Sequence, residues 1–372
     1  MIVKNISLEG YRNYVNQSVS FSDSVNVIVG DNAQGKTNLL EAIYYLTSGR
    51  SFRTRFDKEV IGFSAEMALI EAEIHSGDRL QKLSAKIPKQ GRKQLFAGGH
   101  RLKTAAELSG KLTAVLFCPA DLTIVRSGSA QRRKLMNLCI SQLRPKYANA
   151  LLGFNKAHEH KTKILKDRFE MPSLLSVLDE FSYEMAKYSA ELIYYRAHFV
   201  KKLSEAAGEI YREFTGGKET LSLSYKTIKT IPDPMKKPQE LLPYILEHQE
   251  SHKDAELGAS LCLTGAHKDD IEILIDGVDA KSFASQGQTR TAVLSMKLAE
   301  RQIHYDDRGE YPLLLLDDVL SELDSKRQDF ILNRIHDGQV FITCCEDGVT
   351  SQKTGGKLLS VSKGEITPCT SI

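Results

Sequence analysis

Gly30-Asp31-Asn32-Ala33-Gln34-Gly35-Lys36-Thr37 follows the pattern G-x-x-x-x-G-K-[ST], and these residue types at this spacing can grip a polyphosphate. The glycines let the backbone adopt conformations and close approaches that a side chain blocks, so main-chain N–H groups can turn toward phosphate oxygens. A helix beginning at the end of the loop adds positive potential. Lys36 would reach the β- and γ-phosphates, and the Thr37 hydroxyl would ligate Mg²⁺. At average residue frequencies the pattern arises by chance about 0.01 to 0.02 times in a chain this long, which favours a phosphate loop over an incidental glycine turn.

Leu313-Leu314-Leu315-Leu316-Asp317-Asp318 supplies a matching second half. Four consecutive apolar residues read as a central parallel strand, and ligands bind beyond the carboxyl ends of such strands. Asp317 is placed to hold Mg²⁺, directly or through water, and Asp318 to polarise an attacking water. A third element, Ser285-Gln286-Gly287-Gln288, stands at a helix start and could form a second anion site. An ordinary N-cap accounts for the same residues. Ser321-Glu322-Leu323-Asp324 likewise fits a turn capping the next helix.

Net charge is only +3, but the cations are segregated. Eight Lys or Arg and no carboxylate lie between Arg79 and Ala106, and seven more, again without a carboxylate, between Leu122 and His158. The remaining 35 cations face all 47 carboxylates. Such clustering suits a phosphate backbone, with Arg92, Lys93, Arg132, Arg133 and Lys134 as candidate DNA contacts. Two solvated basic faces without a ligand would look the same.

The elements that must hold these residues follow from periodicity. Ile2 to Leu8 and Val25 to Val29 read as strands, and Asn38 to Leu46 as a helix. Alternating runs around Met67 to Ile74, Leu83 to Ile87 and Lys93 to Phe96 suggest an antiparallel sheet. Helix is expected from Ser129 to Phe169 with a break near Pro145. After it runs a near-heptad stripe from Leu174 to Leu203, with Ser173 as its N-cap and Gly216-Gly217 as its stop. Lys226 to Gln239 reads as a loop. Strand and helix alternation then returns at Ile271 to Ile275, Thr289 to His304, Leu313 to Leu316, Ser325 to Ile335 and Val340 to Thr343. The expected plan is one α/β head from residues 1–120 and 255–372, split by a helical second domain at 121–254.

Length and composition allow this plan. With 372 residues, 41% hydrophobic, the chain can bury a core without staples and is not a disordered protein. The opening Met1 to Ile6 lacks the regions of a signal peptide, and no apolar run could span a membrane. The six cysteines form no CxxC pair and no zinc spacing, so a cytosolic protein with reduced thiols is expected.

The order phosphate loop, Ser-Gln-Gly-Gln, LLLLDD and Ser-Glu-Leu-Asp resembles the ABC-type ATPases, and the roughly 250 residues between the first two resemble the SMC and RecF branch. Within that branch the chain resembles the RecF family over its whole length. The resemblance rests on Leu8-Glu9-Gly10-Tyr11-Arg12-Asn13-Tyr14, Ser51-Phe52-Arg53, and Pro119 through Arg133. It extends to Gly265-Ala266-His267-Lys268-Asp269-Asp270 and Ser285 through Thr291. Ser129, Ala266 and Lys268 depart from the family's usual residues.

The resemblance implies an ABC-type P-loop ATPase head with an antiparallel β subdomain and an inserted helical domain. It implies ATP and Mg²⁺ as ligands, weak DNA-stimulated hydrolysis, and an ATP-dependent homodimer in which Ser285, Gly287 and Gln288 of one head close on ATP held by the other. It also implies action at double-stranded DNA and duplex-single-strand junctions with RecO- and RecR-type mediators, in recombinational repair and recombinase loading, with a nucleoid-associated cytoplasmic location and no membrane. Arg12 either touches nucleotide or is a strand-end surface residue, and no role is assigned to Thr343. A GTPase is disfavoured, since Asn155-Lys156-Ala157-His158 lacks the aspartate of the guanine motif. A transporter subunit is disfavoured by the long helical segment, and an SMC-type architectural protein by the shortness of the stripe. The nearest alternative is a RecF-like ATPase serving another DNA transaction.

Overall fold

A computed structural model of the chain describes residues 1–77, 79–345 and 355–369. It begins with β1 (Ile2–Tyr11), β2 (Tyr14–Ser20), β3 (Val25–Val29), α1 (Lys36–Ser48), β4 (Met67–Ser76), β5 (Arg79–Pro88), β6 (Gln94–Ala97), β7 (His100–Arg101) and β8 (Ala114–Phe117). Then follow α2 (Ser129–Leu143), α3 (Pro145–Asp167), α4 (Leu178–Thr215), β9 (Leu221–Lys226), α5 (Pro238–Ser251), α6 (Lys253–Ala259), β10 (Asp270–Ile275), β11 (Val278–Asp279), α7 (Ala280–Phe283) and α8 (Gln286–Arg308). The chain closes with β12 (Leu313–Asp317), α9 (Ser325–Leu332), β13 (Val340–Cys344), β14 (Lys357–Ser362) and β15 (Glu365–Pro368). Two compact units divide it: Met1–Thr123 with Val293–Ile372, and Ile124–Ala292. No described helix is long and apolar enough to cross a membrane.

The first unit holds two six-stranded sheets. In one, ordered β15-β14-β3-β13-β12-β8, all pairings are parallel except that of β15. Every residue of β3 and β12 is buried, which is why these strands are mostly apolar in sequence. The buried Asn26 of β3 is satisfied locally, accepting from the Ser22 N–H at 2.8 Å and donating to its carbonyl at 2.9 Å. The other sheet, ordered β2-β1-β4-β5-β6-β7, is antiparallel, and its β4 buries Ala68, Ile70, Ala72 and Ile74 at period two.

One side chain ties these sheets together. Gln339, just before β13, is fully buried. Its Oε1 accepts from the Val3 N–H at 2.7 Å, and its Nε2 donates to the carbonyls of Val3 and Ser22, both at 2.8 Å. Val3 lies beyond the β1–β2 pairing, which begins at Asn5, so the amide stands in for a missing strand neighbour.

The second unit is mostly helical. The 38-residue α4 buries Met185, Leu192, Phe199 and Leu203 of the expected stripe and packs against α3, α5 and β9. It stops at Gly216, whose φ of 64° is the left-handed conformation glycine takes cheaply. Ser173 is not its cap: Pro172–Val177 forms a 3-10 turn, and α4 starts only at Leu178. Mid-helix, the buried Arg196 guanidinium reaches Asp269 at 2.7 Å, the Ala266 carbonyl at 2.6 Å and Asn137 at 3.0 Å. Tyr225 and Thr227 complete the shell of Asp269, whose pKa burial still raises against the pull of Arg196. Burial also lowers the pKa of His158 and pushes that of His267 down to about 4, so both rings are neutral at neutral pH.

The unit boundaries differ from those expected. The sequence suggested that the head resumes at residue 255, but β10 pairs with β9 over its whole length, from Asp270 opposite Lys226 to Ile275 opposite Leu221. That antiparallel pairing keeps residues up to Ala292 with the helices.

Replacing Gln339 with Leu leaves the buried N–H and carbonyl of Val3 unpaired and should cost about 2 kcal/mol of unfolding free energy. Urea denaturation of the two proteins measures it. A loss below about 0.5 kcal/mol would mean that the amide is not the tie between the sheets.

Candidate functional site

The phosphate-loop sequence turns sharply off β3 into α1. Gly30 has φ 150° and Gly35 φ 126°, and a Cβ on Gly30 would lie 2.2 Å from the Val361 carbonyl of the neighbouring β14. The loop's carbonyls are held from outside. Asn13 Nδ2 donates to the Gln34 carbonyl at 2.7 Å, the Gly364 N–H to the same oxygen at 3.2 Å, and Tyr14 Oη to the Gly35 carbonyl at 2.9 Å. The Lys363 N–H donates to Gln34 Oε1 at 2.6 Å. No side chain caps the N-terminus of α1, which leaves its first-turn N–H groups to an anion. Asn32 accepts from Cys345 Sγ at 3.1 Å, and Ala33 takes a left-handed φ of 64°.

Lys36 is buried, and its Nζ donates to the carbonyls of Gly30 at 2.7 Å and Asp31 at 3.1 Å. Next to it, Thr37 Oγ1 donates to Asp317 Oδ1 at 2.8 Å, so the loop meets the end of β12. Thr343, opposite Asp317 in the β12–β13 register, donates to the same carboxylate oxygen at 3.1 Å and accepts from the Asp318 N–H at 2.8 Å. Burial raises the pKa of Asp317, and the hydroxyls of Thr37 and Thr343 only partly offset this. Its Oδ2 accepts no hydrogen bond from the described residues. A hydroxyl beside a carboxylate is the oxygen donor set Mg²⁺ takes, so the residues fit that ion. Asp318, half-buried at a left-handed φ of 51°, presents a carboxylate that accepts no hydrogen bond among the described residues.

Other candidates fare differently. Arg12 is engaged: its guanidinium makes two bonds to the buried Glu41, at 2.8 and 2.6 Å, and one to the Glu59 carbonyl at 2.7 Å. Ser285 is exposed and forms a reciprocal capping box with Gln288, the Gln288 N–H donating to Ser285 Oγ at 3.1 Å and the Ser285 N–H to Gln288 Oε1 at 2.9 Å. Gln288 Nε2 also donates to Glu219 at 3.0 Å, while the Gly287 carbonyl accepts from Thr291.

Two of the expected DNA contacts are structural instead. Arg132 is buried, bonded twice to Asp270 at 2.6 and 2.9 Å and to the carbonyls of Ile124, Val125 and Ser127. Lys93 is spent on Asp57 at 2.7 Å and the Gly49 carbonyl at 2.6 Å. Arg133, half-buried, donates to the Asp269 carbonyl at 2.7 Å. Arg92 and Lys134 are exposed, as are Arg79, Arg101 and Lys103. Sequence reasoning assigned nothing to Tyr14, Thr343 or Cys345. Only the position of Thr343 at the end of a buried strand beside β12 could have signalled its part.

Because its pKa is raised on folding, ionised Asp317 disfavours the folded state, and the penalty persists at every pH above that raised value. Asp317→Asn should therefore raise the melting temperature of the nucleotide-free protein at pH 8 while removing the further rise on adding Mg²⁺ and ATP. Scanning calorimetry with and without ligand checks both; a lower melting temperature without ligand would show that the charge is compensated.

Comparison with known proteins accords with this geometry. Residues 2–367 match the RecF/RecN/SMC N terminal domain. The chain is 34% identical over 361 residues to the DNA replication and repair protein RecF of Acetivibrio thermocellus, covering 97% of this chain and 98% of that one. The solved structure of the recombination mediator protein RecF-ATPrS in the RecFOR pathway superposes with a TM-score of 0.92 at 31% identity, over 99% of this chain and 98% of that one. The Smc head domain derived from Pyrococcus furiosus, at 16% identity and a TM-score of 0.56 over 99% of this chain and 96% of that one, shares the fold. Built on an ABC-type ATPase head with an inserted helical region, the chain belongs to the RecF family.

Proposed function

We propose that the protein binds ATP with Mg²⁺ at the loop from Gly30 to Thr37, hydrolyses it slowly, and uses the cycle to time its residence on DNA undergoing repair. The observation that carries this reading is the 2.8 Å hydrogen bond from Thr37 Oγ1 to Asp317 Oδ1, which joins the phosphate loop to the strand-end carboxylate. Bound there, Mg²⁺ would neutralise phosphate charge. Lys36 exchanges its carbonyl partners for phosphate oxygens, the α1 N–H groups bind the same anion, and Asp318 orients a water for attack. Thr343 holds Asp317 and the Asp318 main chain in register.

The active form in this reading is a homodimer on double-stranded DNA, favouring duplex-single-strand junctions and working with RecO- and RecR-type partners to load recombinase. The similarity to RecF proteins over nearly the full chain supports it. Ser285 closes on the nucleotide of the other head; its capping box leaves it exposed at the start of α8, as that task requires. DNA contact is assigned to the exposed Arg92, Arg101 and Lys134 and the half-buried Arg133, and no longer to Arg132 or Lys93.

Lys36→Ala should abolish ATP binding, whereas Asp318→Asn should keep binding and slow turnover. Ser285→Arg should keep the ATP affinity of the monomer yet prevent the ATP-bound dimer. An N-cap role alone predicts only a stability loss of about 1 kcal/mol with dimerisation intact. Titration of labelled nucleotide and light scattering on the same variant separate these outcomes.

Neutralising six phosphates would make log K for duplex DNA fall with log salt at a slope of about −5. Arg92→Glu with Arg101→Glu should flatten that slope by roughly 2 on every sequence alike. An unchanged slope in a fluorescence-anisotropy titration would remove these residues from the interface.

A further inference from the structure

Away from the phosphate loop, the helical unit gathers a donor set of a different chemistry. His158 on α3, Cys262 after α6 and His267 in the turn before β10 can each offer one ligand atom, and these atoms lie within 4.8 Å of one another. The His158 and His267 rings stand 4.4 Å apart. His267 Nε2 lies 3.2 Å from the Cys262 carbonyl oxygen. A carbonyl can only accept, so Nε2 carries the proton and Nδ1 presents its lone pair. That Nδ1 is buried without a hydrogen-bond partner among the described residues, a costly state for a polar atom. A ring N–H fixed on a main-chain carbonyl, with the other nitrogen free, is the support that metal-binding imidazoles have.

The surroundings are stiff and soft in the chemical sense. Glu256, paired with Lys161 at 2.6 Å, accepts from the Leu263 N–H at 2.8 Å and from Thr264 N and Oγ1 at 3.0 and 2.9 Å, which pins the segment carrying Cys262. Met185 Sδ lies 3.8 Å from Cys262 Sγ. A Cβ on Gly265 would fall 2.7 Å from the Met185 methyl and 3.3 Å from His267 Nδ1, so glycine keeps this space open.

We propose that His158, Cys262 and His267 bind one Zn²⁺ ion, with Met185 Sδ or a water in the fourth position. Two imidazoles and a thiolate are a tetrahedral zinc set, whereas Mg²⁺ takes oxygen donors. At Zn–N and Zn–S distances of about 2.1 and 2.3 Å the donors stand roughly 3.5 Å apart, so side-chain movements on the order of 1 Å close the set. The Cys262 thiol releases its proton to solvent as the ion binds, and no electron moves. The ion ties α3 to the segment whose Asp269 and Asp270 hold Arg196 and Arg132. Nothing in this proposal depends on ATP or DNA binding.

The test uses the full chain stripped with chelator, in a background of Cys118→Ser, Cys139→Ala, Cys344→Ser, Cys345→Ser and Cys369→Ser that leaves Cys262 as the sole thiol. Added Co²⁺ should give a thiolate-to-cobalt charge-transfer band that Zn²⁺ bleaches at one equivalent. Zn²⁺ should raise the melting temperature, and the rise should continue with the logarithm of free Zn²⁺ once the site is filled. His267→Ala and His158→Ala should each weaken zinc by about tenfold or more. Should that background fail to fold, zinc-edge absorption of the unaltered chain, showing two imidazoles with one sulfur, or two where Met185 joins, all lost together in Cys262→Ser, supports the site. A cobalt spectrum without the sulfur band, or affinity unchanged in both histidine variants, overturns it.

Discussion

Asp317 is a carboxylate taken out of water with hydroxyl donors but, among the described residues, no cationic side chain bonded to it, and the first unit is arranged around that constraint. Burial disfavours its charge, and the two hydroxyls that face it, from Thr37 and Thr343, compensate only in part. The parallel order β3-β13-β12 makes the arrangement possible. Asp317 stands opposite Thr343 and Thr343 opposite Ile28, so three adjacent strands end together and α1 starts where they end. A site built this way keeps an anionic ligand and a cation in demand at the same place. Stability given up there is recovered in the apolar interiors of β3 and β12.

Much of this was legible in the sequence because the signals were local. The phosphate loop needs consecutive residues, the apolar run of β12 is contiguous, and the stripe of α4 repeats at fixed steps. What escaped depends on partners distant in the chain. Arg132 sits in a tract with no carboxylate, yet its counterion Asp270 lies 138 residues away. Charge segregation in sequence therefore overstated the basic surface, as it did for Lys93, which Asp57 neutralises. The same blindness hid β9 and its pairing with β10, and the meeting of His158 with Cys262, since spacing rules read neighbours and not folds.

The second unit solves a different problem: a guanidinium in the middle of a long helix. Burying Arg196 with Asp269 would be costly if either were left with open valences. Asn137, Tyr147, the Ala266 carbonyl, Tyr225 and Thr227 close the network. The segment Gly265 to Asp270 is thereby fixed from α4, while Arg132 and Arg133 of α2 hold its far end. Cations that looked like surface charge serve instead to set the position of one turn.

The strand order of the first unit also has a consequence for synthesis on the ribosome. β3, which leads into the phosphate loop, pairs among the described residues with β13 and β14, and Val3 awaits Gln339. These partners are translated only after the whole of Ile124–Ala292, which is one continuous stretch. The inserted unit can thus close while the parallel sheet of the first unit still lacks β13 and β14, leaving β3 edge-exposed until those later strands emerge. A nascent chain stalled before β13 holds the complete Gly30 to Thr37 sequence but neither Asp317's hydroxyl partner from Thr343 nor a finished sheet.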